Sequence, residues 1–182
     1  QLEDLTLSLF PEILKIYEGK DFKTSHKKDG SPVTKADMLG HKLILKFLSK
    51  HYPNIPIVSE ESFSQKGYKP AKEFWLVDPI DGTKEFINRS GEFTTNIALI
   101  QNGQPVLGVV GAPAINKIWS GIARQAPKTS KPKTPTLSAA LKIVMSKSHK
   151  TVLDTAFLNF LDKNNKKIKI ISKGSSLKIC AL

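Results

Sequence analysis

The run Trp75-Leu76-Val77-Asp78-Pro79-Ile80-Asp81-Gly82-Thr83 delivers two carboxylates and a hydroxyl from an apolar stretch into one short turn. Residues 74–77 read as a buried strand. Pro79 denies the ladder a hydrogen bond, so the strand is expected to end at Asp78, and Gly82 supplies the freedom to bend. In that arrangement Asp78 and Asp81 converge on one or two cations, and the Ile80 carbonyl between them is a further hard oxygen donor. An all-oxygen set suits magnesium better than zinc. The same residues also read as an Asp-Pro turn followed by an Asp-Gly turn, both ordinary loop devices.

Matching pieces flank this turn in order. Upstream, Ile55-Pro56-Ile57-Val58-Ser59-Glu60-Glu61-Ser62 is a second apolar run ending in carboxylates, with Glu61 either an accessory ligand or a solvent-facing neighbour of Glu60. Further upstream, Val33-Thr34-Lys35-Ala36-Asp37 opens a helical pattern in which Thr34 and Asp37 have the spacing of a helix cap and its third position. By spacing alone, Thr83 likewise reads as the cap of a short helix over 84–87. Downstream, Gly174-Ser175-Ser176 at a helix start offers N–H groups and hydroxyls suited to a phosphate or a ribose hydroxyl, and Lys178 adds a point charge. The bland alternative is a Gly-Ser capping loop.

With these pieces in place, the chain resembles the inositol monophosphatase superfamily of magnesium-dependent, lithium-sensitive phosphatases. Within it, the likeness is to the 3'(2'),5'-bisphosphate nucleotidase branch, carried by residues 78–86 (DPIDGTKEF), by Ser146-Lys147-Ser148-His149 and by Gly174-Ser175-Ser176-Leu177-Lys178. The resemblance implies an α/β fold of alternating helix and sheet layers, with an antiparallel N-terminal sheet and a smaller C-terminal α/β layer. It implies Mg2+ held by Glu60, Asp78, Asp81 and the Ile80 carbonyl. Asp37 and Thr83 would orient and deprotonate the attacking water, and Gly82, Thr83, Ser146, His149, Gly174, Ser175 and Lys178 would contact substrate. The implied reaction removes the 3'-phosphate of adenosine 3',5'-bisphosphate, and of its sulfated form, in sulfur metabolism. The alternatives are an inositol or sugar phosphate monoesterase, or a catalytically impaired metal-binding fragment. That last alternative arises because the family's tryptophan-aspartate motif, which brings another metal carboxylate, does not occur before Leu182, so the chain is expected to be either a fragment of a longer enzyme or an impaired protein that has lost that part.

The elements that must position these groups follow from periodicity. Residues 2–17 have helical spacing at Leu5, Leu9, Ile13 and Ile16, with a kink or restart expected at Pro11. The polar segment 22–32 reads as a flap ahead of the metal region, and a helix runs from Thr34 until Pro53 stops it. Strands over 94–101 and 105–111 are joined by Asn102-Gly103, a hairpin signal, and a third strand follows over 117–123. The Pro- and Lys-rich segment 126–136 reads as a linker between a metal-binding domain, 1–125, and a substrate-side domain, 137–182. The latter reads strand, helix, strand, helix, which implies a parallel pair.

Composition sets the outer bounds. The chain has 182 residues and 40% hydrophobic content, enough for a full core. No stretch approaches the roughly 20 apolar residues of a membrane span, and Gln1-Leu2-Glu3-Asp4 lacks the character of a signal peptide, so a cytoplasmic protein is expected. The single cysteine, Cys180, excludes an internal disulfide. A net charge of +12 invites a nucleic-acid reading, but the lysines are dispersed and lack interleaved aromatics. The expected partner is a small phosphorylated substrate rather than nucleic acid, bound by a monomer or homodimer whose positive field draws in polyanions.

Overall fold

The computed structural model describes residues 1–19, 24–26, 30, 32–64, 71–123, 141–147, 151–164 and 167–181. Helix α1 (Leu2–Glu18) buries Leu2, Leu5, Leu9, Phe10 and Ile13 along one stripe. It runs unbroken through Pro11, contrary to the expected restart. The carbonyl that Pro11 leaves without a helical partner belongs to Leu7, on the exposed side of the helix, where water can satisfy it. Two short strands, β1 (Ser25–His26) and β2 (Pro32–Val33), pair antiparallel within the segment read as a flap. Helix α2 (Lys35–His51) follows, and its Ile44 and Leu48 join the same core as α1.

That core lies against a five-stranded sheet in the order β3 (Ile57–Ser59), β4 (Glu73–Asp81), β5 (Thr94–Gln101), β6 (Gln104–Ala112) and β7 (Lys117–Ile122). The one-turn helix α3 (Thr83–Ile87) sits between β4 and β5. The β4 to β7 run is antiparallel, as expected, but β3 pairs parallel to β4. This direction matters. In parallel register Ser59 sits opposite Val77, and the Glu60 N–H donates to the Val77 carbonyl at 3.0 Å, so both carboxylate-bearing strands finish at the same end of the sheet.

Strand β4 also differs from expectation, because it continues past Asp78 to Asp81. Asp78 is opposite Asn96 and Asp81 is opposite Thr94, so Pro79 and Ile80 together face Thr95 alone. This is a β-bulge at the residue with no N–H to give. Its side-chain consequence is legible in the burial, which alternates through Trp75, Val77 and Pro79 and then repeats at Ile80. A three-residue spacing would put Asp78 and Asp81 on opposite faces of a regular strand; the extra residue returns Asp81 to the side of Asp78.

The remaining elements form a second α/β layer: β8 (Leu141–Ser146), α4 (Val152–Lys163), β9 (Ile168–Lys173) and the one-turn α5 (Leu177–Cys180). Strands β8 and β9 are parallel, in register from Leu141 opposite Ile168 to Ser146 opposite Lys173. A reciprocal capping box between Thr151 and Asp154 starts α4. The helix expected after Ser176 is this four-residue turn, and no side chain caps it. The linker segment 126–136 lies outside the described residues.

Candidate functional site

Asp37 is nearly fully buried, and its two oxygens have separate partners. Oδ2 accepts from the Thr34 N–H at 2.7 Å and the Thr34 hydroxyl at 2.6 Å, completing the capping box of α2. Oδ1 lies 3.2 Å from the Thr83 hydroxyl, which is the same distance from the Ile80 carbonyl. The capping reading and the pairing with Thr83 therefore hold together. Burial raises the Asp37 carboxyl above its ordinary range against the lowering effect of the Thr34 hydrogen bonds, and the charge of Glu61 pushes it up further. Glu61 is half-buried and Glu60 exposed, the reverse of a solvent-facing Glu61. Thr83 does not cap α3. Gly82 occupies the cap position with φ 87°, a left-handed conformation, and Thr83 is the first helical residue.

Asp78 is the most perturbed carboxylate of the group. Burial first, then the charge and hydrogen-bonding carboxyl of Glu60, then the charges of Asp81 and Asp37, push it up to about 9. Its buried Oδ1 has no hydrogen-bond partner among the described residues. Among those residues no group of three acidic, histidine or cysteine side chains is drawn in closely enough to hold a metal ion. The chemistry of the set nonetheless fits a hard cation: the donors are all oxygens, one of them is buried and orphaned, and their mutual repulsion is what a bound divalent ion would relieve.

Asp81 faces the second layer. Its Oδ2 accepts from the Ser176 N–H at 2.6 Å and lies 3.4 Å from Asn96 Nδ2. The Ser176 hydroxyl bridges Asn96 Oδ1 at 2.9 Å and the Thr94 hydroxyl at 2.7 Å. Glu92, two residues before β5, accepts from Lys147, Lys173 and the Gly174 N–H. Gly174 is required here: a Cβ on it would stand 2.6 Å from Glu85 Cγ and 2.9 Å from the Glu92 carbonyl. Between the layers opens a cleft of about 250 Å³ whose walls include Glu60, Asp81, Gly82, Thr83, Ser146, Gly174, Ser175 and Lys178. One sheet end and one loop thus bring these residues to a common space. His149 lies outside the described residues.

Asn96 and Glu92 are not marked as site residues by sequence, and Ser176 is marked there only as part of a loop suited to a phosphate or ribose hydroxyl, not as a partner of Asp81 and Asn96. The links from Ser176 to Asn96 and from Gly174 to Glu92 span 80 and 82 residues, and no spacing rule marks them.

The inositol monophosphatase family pattern matches residues 5–182, and the chain belongs to that family. The 3'(2'),5'-bisphosphate nucleotidase CysQ of Buchnera aphidicola subsp. Acyrthosiphon pisum is 41% identical over 177 residues, covering 93% of this chain and 65% of the relative. Crystalline CysQ from Bacteroides thetaiotaomicron, a bacterial member of the same family, superposes with a TM-score of 0.75 at 32% identity, over 97% of this chain and 72% of that one. A solved IMPase/NADP phosphatase complexed with Mg2+ and phosphate shares the fold at a TM-score of 0.71 and 19% identity, over 94% of this chain and 64% of that one. The chain thus spans roughly two thirds of the length of the relatives it matches. Among the described residues no helix is long and apolar enough to cross a membrane.

Proposed function

We propose that the chain carries the catalytic turn and one substrate wall of a magnesium-dependent phosphatase that removes the 3'-phosphate of adenosine 3',5'-bisphosphate. The carrying observation is the gathering of Glu60, Asp81 and Asp37 around the buried Asp78 at one sheet end, where burial first and then their charges push Asp78 up to about 9, beside a cleft lined by Thr83 and Lys178. The nucleotide substrate is supported by the 41% identity to a bisphosphate nucleotidase, and the metal by a fold relative that holds Mg2+ and phosphate. The reading places the enzyme in the cytoplasm, in sulfur metabolism, as a monomer or homodimer sensitive to lithium. Residues 1–125 form its metal-binding unit and 137–182 its substrate side.

In this reading Glu60, Asp78, Asp81 and the Ile80 carbonyl hold the cations. Bound magnesium supplies positive charge to the phosphoryl oxygens and lowers the pKa of water in the site. The Thr83 hydroxyl accepts a hydrogen bond from the attacking water and directs its own proton to Asp37 Oδ1, 3.2 Å away. Burial of Asp37 makes it the stronger base for that proton. Ser146, Gly174, Ser175 and Lys178 bind the nucleotide from the opposite wall, with Gly82 allowing close approach at the turn. His149 completes that contact set on sequence grounds.

Phosphate release from adenosine 3',5'-bisphosphate and from inositol 1-phosphate, with magnesium and after chelation, tests the reading. Metal-dependent turnover favouring the bisphosphate is expected. A preference for the inositol ester would move the protein to another activity of its family, and turnover without metal would overturn the metal assignment.

A further inference from the structure

The two walls of the cleft come from distant parts of the chain, and one carboxylate gathers the ends of the second layer. Glu92 Oε2 accepts from Lys147 Nζ at 3.1 Å and from the Gly174 N–H at 3.2 Å, while Oε1 accepts from Lys173 Nζ at 3.2 Å. Lys147 directly follows β8 and Lys173 ends β9, and the Lys147 N–H donates to the Lys173 carbonyl at 3.1 Å. The Glu92 side chain is only 14% exposed, so these charge-assisted bonds are partly shielded from water. Its own backbone is fixed to the other wall: the Glu92 carbonyl lies against both Gly82 and Gly174, 3.1 Å and 2.9 Å from where their Cβ atoms would stand. The neighbouring link, from the Ser176 N–H to Asp81, uses a carboxylate that a cation would also claim. Among the described residues Glu92 is the charged anchor between the walls that does not depend on the metal, beside the neutral bonds of the Ser176 hydroxyl to Asn96 and Thr94.

We infer that Glu92 is a positioning residue that holds Ser146, Gly174, Ser175 and Lys178 at a fixed distance from the Asp81–Thr83 turn and so sets affinity for the bisphosphate without touching the reacting phosphate. The inference rests on the phosphatase reading above. Without Glu92, Lys147 and Lys173 lose the anion they share, and the wall they end is held to the other by the Ser176 links alone among the described contacts.

The test uses Glu92→Ala and Glu92→Asp in the full-length protein. Glu92→Ala is expected to raise KM for the bisphosphate about tenfold, the scale of charge-assisted bonds lost. It should leave kcat, magnesium affinity and turnover of a small aryl phosphate near wild type, and Glu92→Asp, which keeps the charge, should recover part of the loss. Lys147→Met should add nothing in the Glu92→Ala background, since the two residues act through one contact. Amide hydrogen exchange at Ser176 gives a readout free of any substrate, and its protection should fall in Glu92→Ala. Unchanged Ser176 protection overturns the inference, as does a fall in kcat and magnesium affinity matching the change in KM. A wild type inactive on the bisphosphate would sink only the phosphatase reading, and Ser176 exchange would still decide the positioning role. If Glu92→Ala does not fold, Glu92→Gln, which keeps the shape and removes the charge, is read in the same assays.

Discussion

Thr83 Oγ1 lies 3.2 Å from Asp37 Oδ1 across 46 residues of sequence, while the other oxygen of that carboxylate caps helix α2 through Thr34. One side chain therefore joins the start of α2 to the turn after β4. The division separates two costs that mutation can measure independently. Removing the Thr83 hydroxyl leaves the capping box intact, so the fold should barely notice, whereas the proposed proton relay would lose its first member.

Thr83→Ala should accordingly lower kcat for the bisphosphate by about 10² to 10⁴-fold, the usual worth of positioned acid–base chemistry. Its stability should stay within about 1 kcal/mol of wild type, since a single partly exposed hydrogen bond is lost. Thr83→Ser, which keeps the hydroxyl, should retain most activity. Steady-state kinetics beside thermal melts check both halves, and a melt that collapses with the activity would refute the separation.

Asp78 makes stability depend on pH in a direction opposite to most carboxylates. Its ordinary value is 3.8, and burial with Glu60, Asp81 and Asp37 around it pushes the folded value up to about 9. Between these the folded chain keeps a proton that the unfolded chain releases, so in the metal-free protein stability should fall as pH rises from about 4 to about 9. Asp78→Asn should flatten that slope, and magnesium should reverse it by favouring the ionised form. Urea midpoints across this range, in chelator and then in magnesium, give the measurement; an unchanged slope in the variant would contradict the assignment.

Local signals read the fold well wherever one element carried its own pattern. The Asn102-Gly103 hairpin, the helix from Thr34 and the parallel β8–β9 pair all follow from alternation, caps or element order. The departures come from packing between elements. Pro79 does end regular pairing, but Thr95 facing both Pro79 and Ile80, with its hydroxyl donating to the Pro79 carbonyl at 2.8 Å, carries the strand on through a bulge. The site divides the same way. Asp78, Asp81 and Thr83 share one short run and are visible in sequence, as is the Gly174-Ser175-Ser176 loop, whereas Glu92 and Asn96 are polar residues in ordinary loop and strand positions whose bonds to that loop reach far along the chain. Residues 92–99 read from sequence as the start of a strand downstream of the turn, which places Glu92 but gives it no partner.

Gly174 is a steric prediction. A methyl group there would overlap Glu85 Cγ at 2.6 Å and the Glu92 carbonyl at 2.9 Å. Because one contact is backbone, relief requires the loop to move away from β5. Gly174→Ala should therefore cost about 1 to 3 kcal/mol, the range for overpacking. It should also raise KM for the bisphosphate, because the loop carries Ser175 and leads into α5, which carries Lys178. Denaturant unfolding and kinetics of the same preparation test this; full stability with an unaltered KM would show that the loop has room to spare.

Lys178 supplies the sharpest separation between binding and metal chemistry. It is half-buried on the cleft wall that also carries Ser146 and Gly174, facing the wall formed by Glu60, Asp81 and Thr83. Its ammonium can hold a phosphate or ribose oxygen of the nucleotide, but it has no part in holding the cations. Lys178→Ala should weaken bisphosphate binding by about 1.5 to 3 kcal/mol, the worth of a hydrogen bond to a charged group, and this should appear in KM. Calorimetric magnesium affinity should be unchanged, since the carboxylates at the β3 and β4 ends are untouched. Inositol 1-phosphate is the control, because it has no second phosphate for the lysine to reach. An equal loss on both substrates would mean that the substitution disturbs the loop as a whole, whereas a loss confined to the bisphosphate makes Lys178 a determinant of substrate choice.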